Sequence, residues 1–150
     1  MDPITCHVLN THNGTPAAGL SSSLTLLDVV APPNSTSTFS LPQNATFYGS
    51  TDSDGRVKTW RPSDPSSQSL AALIASFPSR ANPESPATRS TWDIRFLNVA
   101  TWYEERGVES FWPEVVIKFM VEGKEGEAGW RHYHVPLLLG PWSYSTYRGS

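Results

Sequence analysis

The chain has 150 residues, with 38% hydrophobic side chains, enough to bury a sizeable core as one domain spanning residues 1–150. Lys and Arg number 11 against 14 Asp and Glu, for a formal net charge of −3. With no basic run, nucleic-acid binding is excluded as an expectation, and no apolar stretch approaches the ~20 residues that a membrane span needs.

In chain order, the patterned segments are short and rich in β-branched and aromatic residues, which predicts strands. The first is Ile4–Asn10. Strand alternation sets Ile4, Cys6 and Val8 on a core face, and Thr5, His7 and Leu9 on the other. His12-Asn13-Gly14 has the chemistry of a turn. Residues 23–30 read as a second strand, and the shift of phase from Leu24 and Leu26 to Leu27 and Val29 predicts a bulge or bend. A Pro/Ser/Thr/Asn-rich loop fills 31–46. Residues 47–51 and 56–60 read as a hairpin around Asp54-Gly55.

Residues 62–90 form a long insert for which a flexible surface excursion is the default. Within it Leu70, Leu73, Ile74 and Phe77 recur at helical spacing, and Asp64-Pro65 predicts a helix start, placing a short helix near 65–76. A strand is expected at 92–99, then a short helix at 102–106 stopped by Gly107. Residues 114–121 alternate, with Val115, Ile117, Phe119 and Val121 on one face. Two last strands are expected at 130–139 and 142–147. Seven or eight short strands with one or two small helices make an all-β, two-sheet sandwich the natural fold class.

Cys6 is the one cysteine in the sequence, so no internal disulfide is expected and a reducing compartment fits. Met1-Asp2-Pro3-Ile4 lacks the basic and apolar regions of a secretion signal. The sequons at Asn13, Asn34 and Asn44 then carry no weight, and a cytoplasmic protein is expected.

The histidines carry the chemistry. His7 lies off the core face of its strand. His132 and His134 sit two apart on one strand and emerge on the same face, with Tyr133, Val135 and Leu137 on the other. Three histidines so placed suggest a zinc site, but no carboxylate or cysteine is positioned to join them, so no required metal is expected and an incidental, inhibitory one fits better.

The segment from His132-Tyr133-His134-Val135-Pro136-Leu137-Leu138-Leu139-Gly140-Pro141-Trp142 to Tyr147-Arg148-Gly149-Ser150 resembles the closing stretch of the 5-hydroxyisourate hydrolases, a branch of the transthyretin-like family. The terminal tetrapeptide resembles that branch's signature. Thr5-Cys6-His7-Val8-Leu9-Asn10 with Pro16-Ala17-Ala18-Gly19, Thr51-Asp52-Ser53-Asp54-Gly55-Arg56-Val57, and Glu109-Ser110-Phe111-Trp112-Pro113-Glu114 are similar to further family segments in the same order. The departures are the long stretches at 31–46 and 62–90.

The resemblance implies a transthyretin-like sandwich and hydrolysis of 5-hydroxyisourate, the product of urate oxidation, without a cofactor. It implies His7, Arg56, His134 and Ser150 as catalytic residues, with His7, Arg56, His132, Tyr147 and Ser150 touching substrate. To act, Ser150 would need a final strand that runs to the last residue. The resemblance also implies a homotetramer, a dimer of dimers with the site between subunits. Urate breakdown leaves a peroxisomal location open, although Arg148-Gly149-Ser150 is not a Ser-Lys-Leu address. The alternative is a transthyretin-like carrier of a small hydrophobic ligand. Carriers lack the two histidines, the arginine and the terminal tetrapeptide that this sequence holds.

Overall fold

The computed structural model of the chain describes residues 1–35, 39–43 and 45–150. Parts of the 31–46 loop and of the sequons at Asn34 and Asn44 lie outside the described residues. The elements are β1 (Ile4–Asn10), β2 (Thr15–Pro16), β3 (Ser21–Val30), β4 (Thr46–Ser50), β5 (Arg56–Val57), β6 (Arg61–Pro62), α1 (Leu70–Ala75), β7 (Arg89–Phe96), α2 (Val99–Glu104), β8 (Val115–Glu122), β9 (Tyr133–Leu139) and β10 (Tyr144–Thr146).

The strands form two sheets that share one hydrophobic core. In the first, the order is β10-β9-β1-β2, with β5 also pairing β1. In the second it is β6-β4-β3-β7-β8. Alternation explains the burial: Ile4, Cys6 and Val8 from β1 and Leu137 and Leu139 from β9 are fully buried, and meet Leu24, Trp92, Ile94 and Val121 of the opposing sheet. Each such large apolar side chain contributes about 1.5–3 kcal/mol by leaving water. The phase change in β3 is a bulge, at the register shift between Leu26 and Asp28. This is the two-sheet β-sandwich expected.

Three local expectations are corrected. First, Asp64-Pro65 does not start the helix. The Asp64 carboxylate accepts from the Ser66 N–H at 3.0 Å and its carbonyl from Ser67, which makes a turn. Ser69 caps α1 instead, its hydroxyl accepting from the Ala72 N–H at 3.1 Å.

Second, the 62–90 insert is not merely a surface excursion. Leu70, Leu73, Ile74 and Phe77 are buried in the core, and Phe77 meets Phe39 edge-on with ring centroids 5.2 Å apart. Burial of four apolar side chains offsets the entropy of ordering the segment.

Third, β4 and β5 are not partners. β4 pairs β3 and β6, whereas β5 crosses to the other sheet and pairs β1. Gly55 permits that crossing. Its φ is +77°, and a Cβ there would lie 2.4 Å from the Val8 carbonyl oxygen, to which the chain is held by a Val8 N–H bond to the Gly55 carbonyl at 2.7 Å.

The second helix starts earlier than expected, at Val99, and ends before Gly107 at φ +71°. From it Tyr103 donates to Asn10 Oδ1 at 2.7 Å and sits 3.2 Å from the Leu139 carbonyl, tying the far ends of β1 and β9 together. Burial pushes the Tyr103 phenol up to about 12. Among the described residues no helix is long and apolar enough to cross a membrane.

Candidate active site

The site follows from strand register. β1 and β9 run parallel, with Thr5 opposite His134 and His7 opposite Pro136. On the other edge of β1, the antiparallel pairing with β5 sets Arg56 directly opposite His7. Thr5, His7, His134 and Arg56 therefore stand on one face of the first sheet, the face turned from the core. The imidazole centroids of His7 and His134 are 6.3 Å apart, and those of His132 and His134 are 6.5 Å apart.

A cavity of about 160 Å³ opens on this face, lined by Met1, Thr5, Cys6, Arg56, Lys58, His132, His134 and Ser150. Its floor is held by Thr5, 3% exposed, whose Oγ1 lies 2.8 Å from His132 Nε2 and 2.8 Å from His134 Nδ1. Thr5 is the residue that sequence reasoning missed. Alternation placed it on the histidine face, but nothing local marks a threonine as the contact of two rings 127 and 129 positions away.

Arg56 is set by its turn. The Asp52 carboxylate accepts from the backbone N–H groups of Arg56 and Asp54, each at 2.9 Å, and the Arg56 N–H bond is the main reason this carboxyl sits below its ordinary range. Asp52 is thus spent on backbone, and among the described residues Arg56 has no ion pair. An unneutralised guanidinium on a concave face is placed to bind an electron-rich, oxygen-bearing ligand.

His134 on β9 and His132 just before it are held toward their neutral forms. For His134 the largest cause is burial, followed by the positive charge of Arg56, then His7 and His132. For His132 burial again leads, opposed by Glu125 and reinforced by the Met1 amino group. A neutral imidazole near a cation and a cavity can accept a proton at neutral pH. Cys6 borders the same cavity, but its side chain belongs to the core, and burial pushes the thiol up to about 12, so it is no nucleophile at neutral pH.

Ser150 reaches the cavity by a route other than the continuous strand expected. β10 ends at Thr146, and the chain returns to β9 through a bridge in which the Gly149 N–H donates to the His134 carbonyl at 2.8 Å. Tyr147 is not brought to the cavity. It is 59% exposed and lines a second cavity of about 230 Å³ with Phe119, Met120, Tyr133 and Arg148, which His134 also borders. Arg148 stacks over the Tyr133 ring at 4.1 Å and so anchors the turn before Gly149. Among the described residues no group of three His, Cys, Asp or Glu side chains is arranged to hold a metal ion.

A family model described as HIUase/Transthyretin family matches residues 4–149. Over 148 residues the chain is 36% identical to 5-hydroxyisourate hydrolase of Mus musculus, covering 99% of this chain and 95% of that protein. Among solved structures it is similar to 5-hydroxyisourate hydrolase of Klebsiella pneumoniae, with a TM-score of 0.56 at 24% identity and full coverage of both chains. It is equally similar in fold to transthyretin of Sparus aurata, with a TM-score of 0.57 at 18% identity, covering 99% and 97% of the two chains.

Proposed function

Because the chain belongs to the HIUase/transthyretin family, we propose that it hydrolyses 5-hydroxyisourate to 2-oxo-4-hydroxy-4-carboxy-5-ureidoimidazoline, in the degradation of urate. Fold alone does not separate a hydrolase from a carrier, since the sandwich is similar to both. The observation that carries the reading is the register that gathers His7, Arg56 and His134 on one sheet face, beside a small cavity that Arg56, His132, His134 and Ser150 line and His7 does not. The cavity's Arg56, Lys58, His132 and His134 suit an oxygen-rich, polar substrate better than a hydrophobic ligand.

The reaction needs a base to take a proton from water, donors for the oxyanion that forms, and an acid for the leaving nitrogen. In our reading His134, kept neutral by burial and by Arg56, accepts the proton from water as its oxygen attacks the cyclic amide carbonyl. His7, with its ring 6.3 Å away, carries a proton to the ring nitrogen as the carbon–nitrogen bond breaks. Arg56 binds the substrate oxygens and steadies the negative charge on the carbonyl oxygen. Ser150 positions the water, and His132 contacts the substrate from the far wall. The substrate is already an activated, oxidised ring, so no cofactor is required. With Cys6 buried and protonated, the thiol forms no thioester, and in this reading water attacks directly.

The active assembly in this reading is a homotetramer, a dimer of dimers. What supports it is the exposed apolar surface near the tail: Phe111 and Trp142 are each 64% exposed, with ring centroids 6.4 Å apart. Pairing across the histidine face, where Leu9 and Leu138 are half-buried, would dry the cavity. A reducing compartment such as the cytoplasm suits the free, buried thiol of Cys6.

The test is spectrophotometric. 5-Hydroxyisourate is generated in place from urate, and the decay of its absorbance is followed with and without the protein. Acceleration at micromolar protein is expected; an unchanged decay would sink the assignment.

A further inference from the structure

A threonine hydroxyl has one hydrogen to donate and two lone pairs with which to accept. Thr5 Oγ1 stands 2.8 Å from a ring nitrogen of each of two histidines, Nε2 of His132 just before β9 and Nδ1 of His134 on it. Its single hydrogen can go to only one of them. The other nitrogen, to make its bond, must itself carry hydrogen and donate to Oγ1. The protonation patterns of the two rings are therefore coupled through one atom.

Two arrangements place the hydroxyl hydrogen between the rings; a third, in which both ring N–H groups donate to Oγ1, leaves that hydrogen without an acceptor, since Oγ1 has no third partner among the described residues and Thr5 is 3% exposed. In the first, Thr5 donates to His132 Nε2, and His134 Nδ1–H donates to Thr5. Neutral His134 then has a bare Nε2, which makes no hydrogen bond among the described residues and is left to act as a base. In the second, His132 Nε2–H donates to Thr5, and Thr5 donates to His134 Nδ1. Neutral His134 then holds its hydrogen on Nε2 and has no lone pair to offer. Protonation of His132 leaves only N–H groups on its ring, and with no third partner for the hydroxyl hydrogen among the described residues this favours the second arrangement.

We propose that Thr5 is a positioning residue for the hydrolysis, its one hydroxyl hydrogen setting the tautomer of His134 so that a bare Nε2 is presented only while His132 is unprotonated. This rests on the hydrolase reading above for its catalytic consequence, though not for the tautomer itself. The setting is rigid. Thr5 is β-branched, 3% exposed and held in the middle of the β5-β1-β9 ladder. The charged and titratable groups around the pair are His7 on β1, Arg56 on β5, Lys58 just after it, Glu125 in the β8–β9 turn, the Met1 amino group, and the Ser150 carboxylate. Burial favours neutral forms of both rings, which keeps the first arrangement available at neutral pH.

The first measurement needs no substrate. Long-range nitrogen–proton correlation spectra of the full chain report the tautomer of each imidazole across a pH series. His134 is expected in the Nδ1–H form at neutral pH and is expected to lose it in step with protonation of His132. A His134 that is Nε2–H at neutral pH, or one whose tautomer ignores His132, overturns the proposal even if the chain hydrolyses 5-hydroxyisourate.

The second measurement uses variants. Thr5→Val should lower kcat about tenfold to a hundredfold with KM nearly unchanged, and should remove from the acid limb the dependence on a second ionisation. Thr5→Ser should restore both. If Thr5→Val keeps wild-type kcat and the wild-type pH profile, Thr5 does not position His134. If the wild type shows the expected tautomers yet no hydrolysis, the function reading fails and the coupling stands.

Discussion

Replacing Gly149 by alanine tests how closely the tail is fitted to the active face. A Cβ at this position would sit 2.8 Å from His134 Cδ2, 3.0 Å from Pro136 Cγ and 3.1 Å from Pro136 Cδ. Carbon atoms in good contact lie about 3.5–4.0 Å apart, so the imidazole or the tail must move by about 0.7 Å or more. Pro136 is a buried, rigid member of β9 and yields little. Gly149 does not have a left-handed φ, so alanine brings no backbone strain and the clash acts alone. A displacement near 1 Å of a reacting group costs about a hundredfold. If the tail lifts instead, the Gly149 N–H bond to the His134 carbonyl is lost; at about 0.5–1.5 kcal/mol, that is a factor of about 2 to 12 in tail seating. Gly149→Ala should therefore lower kcat/KM for 5-hydroxyisourate about tenfold to a hundredfold. For a chain of 150 residues a loss of about 0.5–1.5 kcal/mol should shift thermal unfolding by about 1–6 °C. Full activity together with an unshifted His134 resonance would refute the fit of tail to ring.

Arg56→Gln should move the acid limb of the kcat/KM profile to higher pH. His134 must be neutral to act, its pKa lies below the ordinary 6.5 partly because of Arg56, and removing that charge raises it; a limb that stays put or moves to lower pH would contradict the assignment. Cys6 should resist iodoacetamide at pH 8 in the native protein and react fully in denaturant, as mass spectrometry would register, since its thiol is buried and pushed up to about 12. Gly55→Ala and Gly107→Ala both place alanine at positive φ, which costs about 1–2 kcal/mol each. Only at Gly55 does the new Cβ meet backbone, the Val8 carbonyl at 2.4 Å, so urea unfolding should show a clearly larger loss of stability there than at Gly107; equal losses would mean that the β5–β1 approach is not tight.

The faces of single strands were legible in the sequence because a period of two is local information. The inward set Ile4, Cys6 and Val8, the outward His7, and the His132/His134 pair all follow from it. The bulge in β3 was legible for the same reason. Which strands become neighbours is not local. β5 is two residues long, so its choice of β1 over β4 leaves no pattern in the sequence, yet that choice is what sets Arg56 against His7. Turn and cap chemistry compete for the same residues, and at Asp64-Pro65 the turn wins because a serine five positions later caps the helix better placed to bury Leu70 and Leu73. Thr5 was visible only as a member of a face. Its contacts with two histidines needed the register of a pairing between the two ends of the chain.

That pairing also governs when the site can exist. β1 and β9 lie side by side in parallel, joining Thr5 to His134 across 129 positions of sequence. The neighbours of the second sheet, β3, β4, β7 and β8, pair over shorter separations, the longest of them from Ser22 to Phe96. Contacts of the longer range form late and slowly. Without the β1–β9 pairing, neither the Thr5 contact to the two histidines nor the seat of Gly149 on the His134 carbonyl exists. In the proposed reading, catalytic competence thus depends on a pairing between strands 129 positions apart, with residues 147–150 seated against β9.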